Sequence, residues 1–471
     1  MIGHSEKIIL AAALTAGLLP ACSPADKSAD CGGVLTADGA CAGIPAAACD
    51  GDCTAGCARV RDVDGPGDLS AALSAALSGD CLYLHQGAYG AIDLPSGVSV
   101  IGDSPTATSV SSLTLAQGDG AAVRSLQVGV GGVQILGATH VTLDTMIVSG
   151  SEHDGVHVGA GSSVIIVRSR IEGSGEYGVF VETMADVTLD HTLVSGAQRS
   201  GVWAEGACNG CVCAGPPRLT MVDSVLYQNR VTGLSLVGAR ATLSRTDIVE
   251  TKVGDLFFNS QYGGGLAASC GSDVQAKRFR VLGSKAWGAL LDGSTAALGG
   301  DADGETVEMS GNERGVWIQN VSCGDAVCVS LHQASVADNK AVGVGVAGGS
   351  QGIIICKSAV TGTSEVVEPV YQDGDIGGNQ KVGDGLHWLD GSQVLIDGLT
   401  MSGNQRQSIL IDGPVASGSS IGVLTQSGGD EATGVLQQDF TTGMQPDHGN
   451  TVVVNTATHR VFGILQPEQK P

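Results

Sequence analysis

Gly132, Gly155, Gly178 and Gly201 follow one another at intervals of 23 residues. Behind each of the first three the same order of residues returns. Gly155 is followed by Val156 and Val158, then Val164 and Ile166, then Ser169, Ile171 and Gly173. Gly178 gives Val179, Val181, Val187, Leu189, Thr192, Val194 and Gly196, and Gly132 gives Val133, Ile135, Val141, Leu143, Met146, Val148 and Gly150. Within each short segment apolar residues recur at every second position, the alternation of a half-buried strand. The apolar residues are β-branched or Leu, as a pleated, packed surface requires. Each unit therefore holds three short strands joined by turns. One unit cannot bury its own apolar face. Stacked units can, with each strand lying about 4.8 Å from its counterpart in the next. Gly is abundant, 72 residues in 471, but has no Gly-X-Y period, so collagen is excluded. Long Ala/Leu/Glu/Lys tracts are missing, which argues against helical bundles.

The pattern returns later. Gly265 to Gly288 and Gly385 to Ser408 are again 23 apart, and Gly233, Gly315 and Gly343 open units after longer intervals. Counting back from Gly233 puts Leu219, Met221, Ser224 and Leu226 in register, so nine extra residues fall in the first turn of that unit. The insert contains Cys208, Cys211 and Cys213. Insertions collect at turns because turns face water. Asn229, Asn339 and Asn404 lie four residues before a unit opening and Asn312 three before. Two readings share that corner: stacked Asn side chains bonded along the stack, or Asn tolerated in a left-handed turn.

The repeat resembles the right-handed parallel β-helix superfamily with the pectate-lyase-like fold. The resemblance runs over roughly 68–430 and is clearest at 132–201 and 385–408. It implies an all-β solenoid of about 23-residue coils. The leucine-rich-repeat string Leu-x-x-Leu-x-Leu-x-x-Asn and the calcium-binding Gly-Gly-x-Gly-x-Asp nonapeptide do not occur. Asp68 to Leu77 reads as a short amphipathic helix with Asp68 as N-cap, placed to cover the first open edge. Residues 87–102 look like the entry coil of that superfamily. The expected organisation is 1–21 signal peptide, 22–66 Cys-rich stalk, 67–430 β-helix and 431–471 C-terminal cap, with a strand at Val452 to Val454.

Ile8 to Leu19 is an apolar run too short to span a bilayer and suited to a signal-peptide core. It ends Leu18-Leu19-Pro20-Ala21-Cys22, which resembles a bacterial lipobox and implies lipid on Cys22. Pro20 departs from the small residue usual there. An ordinary secretory signal with a free Cys22 is the alternative. The implied address is the bacterial cell envelope, at the outer membrane or cell surface, with the lipid as the one membrane attachment. Cysteine usage agrees with export. Cys31, Cys41, Cys49, Cys53, Cys57 and Cys81 crowd a segment with little apolar content, where disulfides rather than zinc are expected. Cys323 and Cys328 flank one turn and are expected to pair. Cys208, Cys211, Cys213 and Cys270 can give two more bonds, leaving Cys356 free. A net charge of −24 excludes a general nucleic-acid binder.

Alternation assigns outward faces. Along the first strand of successive units the outward residues are Gln134, His157, Phe180 and Trp203, and two positions later Leu136, Gly159, Glu182 and Glu205. Trp317 takes the same place in a later unit. Aromatic rings beside carboxylates suit sugar rings, and the chain has only 4 Trp, 6 Tyr and 6 Phe to place. Cross-strand pairing that stabilises the sheet is the commoner role for such residues. Glu182 and Glu205 repel at one-unit spacing unless they splay apart, share a proton or hold Ca²⁺. A close pair would suit a retaining glycosidase. A second outward stripe is read on the third strand: Arg168, Arg170, His191, Asp223, Arg278 and Arg280. It could hold an anionic polysaccharide, although salt-bridged surface is the commoner outcome. Asp301-Ala302-Asp303-Gly304-Glu305 and Asp373-Gly374-Asp375 are acidic turns, candidates for Ca²⁺ and otherwise solvated. No other cofactor is implied.

Ser151-Glu152-His153-Asp154 loosely resembles the Asp-Pro-His-Asp string of alginate-modifying β-helices, without its Pro and first Asp. It also falls on an ordinary turn. The galacturonase Asn-Thr-Asp, Asp-Asp and Gly-His-Gly strings and the pectate-lyase Arg-x-Pro-x-x-Arg are missing. The expected function is therefore a non-catalytic, monomeric surface module binding polysaccharide or an envelope protein through His157, Phe180, Glu182, Trp203, Glu205, Arg168 and Arg170. The alternatives are a polysaccharide lyase, glycoside hydrolase or epimerase, and a purely structural envelope component.

Overall fold

The computed structural model describes residues 54, 56–254, 263–324, 326–372, 375–389, 391–412 and 416–427, with short strands at 34–35, 41–42, 435–438 and 452–455. The signal segment, Cys22, most of the stalk and the Asp373-Gly374 turn lie outside these residues. Three ladders of parallel strands wind into a right-handed parallel β-helix. Val133, Val156, Val179 and Val202 pair in sequence up the first ladder. Val141, Val164, Val187 and Leu219 do so up the second. Val148, Ile171, Val194 and Leu226 do so up the third. All of these residues are at most 2% exposed, so each unit contributes to one continuous apolar shaft. Beyond residue 430, Val435–Gln438 and Val452–Asn455 add two further rungs to the first ladder.

The opening glycines are required by space rather than by backbone angle. Among them only Gly132 has a positive φ. A Cβ on Gly155 would lie 2.4 Å from the Ile171 side chain and 2.7 Å from the Gly178 carbonyl oxygen. Gly178, Gly233, Gly265 and Gly343 meet Val194, Ile248, Val281 and Val360 in the same way. The corner between third and first strands is closed too tightly for any side chain.

The left-handed residue at that corner is the one before the Asn. Gln228 has φ 50°, Asp338 has φ 53°, and Gly311 and Gly403 are also positive, whereas the asparagines are not. Asn229, Asn312, Asn339 and Asn404 are fully buried and bonded to the preceding coil. The Ala197 amide donates to Asn229 Oδ1 at 3.1 Å, while Asn229 Nδ2 donates to the Val194 carbonyl at 3.0 Å. The stacking reading therefore holds at this corner. A second corner carries Ser169, Thr192, Ser224 and Thr246: the Ser169 hydroxyl bonds a backbone carbonyl of its own coil, and the other three bond carbonyls of their own and the preceding coil.

Insertions lie at turns. Residues 207–214 form an antiparallel hairpin between the first and second strands of their unit. Disulfides Cys208–Cys213 and Cys211–Cys270 staple it. Cys323–Cys328 closes another turn, Cys57–Cys81 joins the first two rungs, and Cys356 is free among the described residues. A longer hairpin, Val366–Gln372 with Asp375–Val382, is inserted before the first-ladder strand Asp384–Leu389. The N-terminal helix spans Leu69–Ala75 and buries Leu69 against the shaft end. Asp68 stands at the N-cap, but its side chain makes no capping bond. No described helix is long and apolar enough to cross a membrane.

Candidate functional site

Parallel register puts equivalent positions of successive coils side by side. Gln134 pairs with His157, His157 with Phe180, and Phe180 with Trp203. These side chains all point away from the shaft and are partly exposed. Tyr177 joins them from the position before the opening glycine Gly178. Its ring stacks on Phe180 at 5.4 Å and lies 5.3 Å from Trp203. His157 meets the edge of Phe180 at 5.0 Å. The result is one aromatic platform across three rungs. Arg199 backs Tyr177, with its guanidinium 5.7 Å from the ring centre and a 3.3 Å bond from Nη1 to the phenol oxygen.

Carboxylates border the platform, each with its own partner. Glu182 Oε1 lies 3.0 Å from His157 Nε2, and Glu182 Oε2 accepts the Ala160 amide at 3.0 Å. Glu205 Oε2 accepts the Trp203 indole N–H at 2.8 Å. The two glutamates are thus splayed to different partners rather than sharing a proton or an ion. Asp154 lies 3.5 Å from His157 Nδ1 and accepts the Tyr177 amide at 3.3 Å. Burial raises the Asp154 pKa above the ordinary aspartate value, and the Tyr177 amide offsets part of that. His157 consequently sits between two carboxylates, Asp154 and Glu182. His153, its neighbour in the same turn, is 3.6 Å from Glu176 and mostly exposed. Glu176 also faces Arg199 at 3.4 Å.

The basic stripe lies elsewhere, and Arg168, Arg170 and Arg280 are each paired with a carboxylate. Arg168, His191, Asp223 and Arg278 are not on the third strand. They occupy the left-handed corner before it, with φ between 47° and 50°. Arg170 and Arg280 do lie on the third ladder. Arg168 is bidentate on Asp144, with Nη2 to Oδ2 at 2.6 Å, and Arg170 bonds Glu172. Arg280 holds buried Asp247 at 2.7 and 2.9 Å. Arg278 Nε donates to the Gly304 carbonyl at 3.0 Å. The structure brings His157, Phe180, Glu182, Trp203 and Glu205 together and leaves Arg168 and Arg170 apart from them.

Trp317 has the outward register expected of it, pairing with Leu290 and Gly345, but is only 2% exposed. It belongs to a second apolar cluster with Trp287 and Val342, against which Val366 of the long hairpin packs. Its indole fills the place of a Gly345 side chain, where a Cβ would be 1.8 Å from the ring.

Two groups of potential metal ligands are occupied by protein. In Asp190, His191 and Asp223 the ligand atoms lie within 4.8 Å of one another. Arg245 already holds both Asp223 oxygens, at 2.6 and 2.7 Å. In the 301–305 loop Glu305 takes Lys277 at 2.9 Å, which lowers its pKa, and Asp301 faces His332 and Lys357.

Residues 97–278 match a family model described as a right-handed β-helix region. No curated protein matches the chain. Similar solved structures include the A-module of a mannuronan C-5 epimerase from Azotobacter vinelandii, at 14% identity and TM-score 0.38, covering 84% of this chain and 96% of that one. A surface adhesin of Streptococcus pneumoniae is similar at 11% identity and TM-score 0.39, covering 84% and 93%. An alginate lyase from a Paenibacillus species is similar at 16% identity and TM-score 0.37, covering 56% and 99%.

Proposed function

We propose that this chain is an exported cell-envelope β-helix protein that binds glycan on its first-ladder face without turning it over. The observation that carries the reading is the partly exposed platform of Tyr177, Phe180 and Trp203. Flat apolar faces exclude water over a sugar ring, and the adjoining polar groups fix its orientation. Export is supported by the disulfides, which persist in oxidising compartments. Lipidation at Cys22 gives the anchor, and the coils present the platform away from the membrane as a monomer. The acidic balance keeps nucleic acid away. The test is a glycan array with purified protein. Trp203→Ala should abolish retention of the bound glycans, whereas Ile165→Ala, an exposed site on the second ladder, should leave it intact. Retention unchanged in Trp203→Ala defeats the assignment.

A second reading rests on His157 between Asp154 and Glu182. A histidine oriented by one carboxylate and bonded to another is placed for general acid–base work on a polysaccharide. Incubation with pectate, alginate and hyaluronan, read as new unsaturated or reducing ends, tests it. Turnover lost in His157→Ala establishes catalysis; an unaltered polymer leaves binding as the function.

A further inference from the structure

The proposed glycan site carries a charge pattern that selects among glycans. Asp154, Glu176, Glu182 and Glu205 surround the rings of Tyr177, Phe180 and Trp203, and Glu152 lies in the adjoining turn. Arg199 lies over the Tyr177 ring and is committed to Tyr177 and Glu176. Arg168, Arg170, Arg245 and Arg280 are paired with Asp144, Glu172, Asp223 and Asp247, away from this face. The whole chain adds a field of the same sign, with 48 acidic against 24 basic side chains. A polyuronate laid on the platform would place carboxylates against carboxylates.

We infer that the preferred ligand is an amine-bearing glycan, a chain of amino sugars with protonated, unacetylated nitrogens. This rests on the glycan reading of the same face. Three features favour it. Aromatic faces attract cations through their ring electron density. Glu182 and Glu205 belong to successive rungs, so carboxylates from two neighbouring coils border the platform. Each carboxylate is already oriented, Glu182 by the Ala160 amide and Glu205 by the Trp203 indole. Glu205 Oε1 takes part in no side-chain hydrogen bond among the described residues. The face thus sets a column of flat apolar surface beside fixed acceptors.

The experiment compares three probes on the full exported chain by titration calorimetry in mild acid. They are an oligomer of β-1,4-linked glucosamine, its fully N-acetylated counterpart of equal length, and an oligogalacturonate. The glucosamine oligomer should bind about tenfold more tightly than the acetylated one, with an advantage that shrinks as salt rises. Glu182→Gln and Glu205→Gln keep the side-chain shape and should erode that advantage, weakening glucosamine binding more than acetylated binding. Trp203→Ala should weaken both. Equal or tighter binding of the acetylated chain or the oligogalacturonate overturns the inference and leaves the glycan reading standing. Binding of no sugar overturns both. Retention of an oligolysine peptide in place of the sugars also overturns the inference, since charge alone would then suffice.

Discussion

Asp384 and His387 are ionisable side chains fully buried on the first-ladder strand that follows the long hairpin, and their protonation follows from that burial. Asp384 is fully buried, accepts from Arg406 Nε at 2.9 Å through Oδ1, and has no hydrogen-bond partner at Oδ2 among the described residues. Burial, partly offset by Arg406, raises its pKa from 3.8 to about 6. Among the described residues His387 has neither ring nitrogen hydrogen-bonded, and burial, then the Arg406 charge, lowers its pKa from 6.5 to about 3. The two oppose each other. The folded state prefers protonated Asp384, so that contribution is full below 3.8 and is lost as pH rises through about 6. It prefers neutral His387, so that contribution is full above 6.5 and is lost as pH falls toward about 3. His387→Leu removes only the acid-side loss. Its Tm should therefore rise on acidification relative to that of the parent. Arg406→Gln leaves an ionised buried Asp384 without its counter-charge, a loss of about 3–5 kcal/mol. That deficit should shrink in mild acid once Asp384 is protonated; a deficit equal at both pH values in denaturant unfolding counts against the pair. Gly345 gives a separate prediction. An added methyl would overlap the Trp317 ring, so Gly345→Ala should cost about 1–3 kcal/mol and shift tryptophan emission to longer wavelength.

At the scale of the element, the strands are legible in the sequence and the corners only partly so. Strand alternation is a property of the chain itself, and the inward residues Val156, Val179 and Val133 stack as the 23-residue period requires. Register then puts His157, Phe180 and Trp203 in one column. Tyr177 escapes that logic because alternation runs forward from each opening glycine and breaks at it. The position two before Phe180 is Gly178, which carries no side chain, and Tyr177 precedes it beyond the break. The partners of charged residues are not legible either. Arg168 finds Asp144 on the coil before, 24 residues back, where the choice between anion site and ion pair depends on side-chain reach. The buried fate of Trp317 depends on a hairpin that breaks the repeat. Corners obey their own rule, since a closed turn must satisfy backbone groups away from water. Asn339 is the hub of one such corner. It accepts from the Asn312 amide at 3.0 Å and from Asn312 Nδ2 at 3.1 Å, and donates to the Met309 carbonyl at 2.8 Å. Asn339→Ala strands several buried groups at once and should cost about 3 kcal/mol. Hydrogen exchange checks it locally: the Asn312 amide should lose protection while the Ala197 amide, capped by Asn229, keeps it.

For the whole molecule, a stacked coil is stable along its length and vulnerable at its ends. Each rung is covered by its neighbours, but the first has a neighbour on one side only. Here Arg59–Val63 is that rung, paired with Asp80–Leu84 and tied to it by Cys57–Cys81. Above it the Leu69–Ala75 helix lowers Leu69 onto the shaft, with Ala72, Leu73 and Ala76 packed against the same core. Its role follows from what it hides: Val63, Leu82 and Leu84 are at 0% exposure and would otherwise form the open mouth of an apolar tube with unpaired strand edges around it. Such an edge is a template for another copy of the chain. Replacing Leu69 and Leu73 together by Asp should lift the helix without touching a single coil. The double variant should elute with a higher mass than the parent by light scattering, increasingly so with concentration, while far-ultraviolet dichroism stays that of a β-protein. Ser70→Asp, on the exposed side of the same helix, adds charge of the same sign and should behave as the parent. Equal masses for all three proteins would mean that the helix is ornament and that the disulfide and first rung close the end unaided.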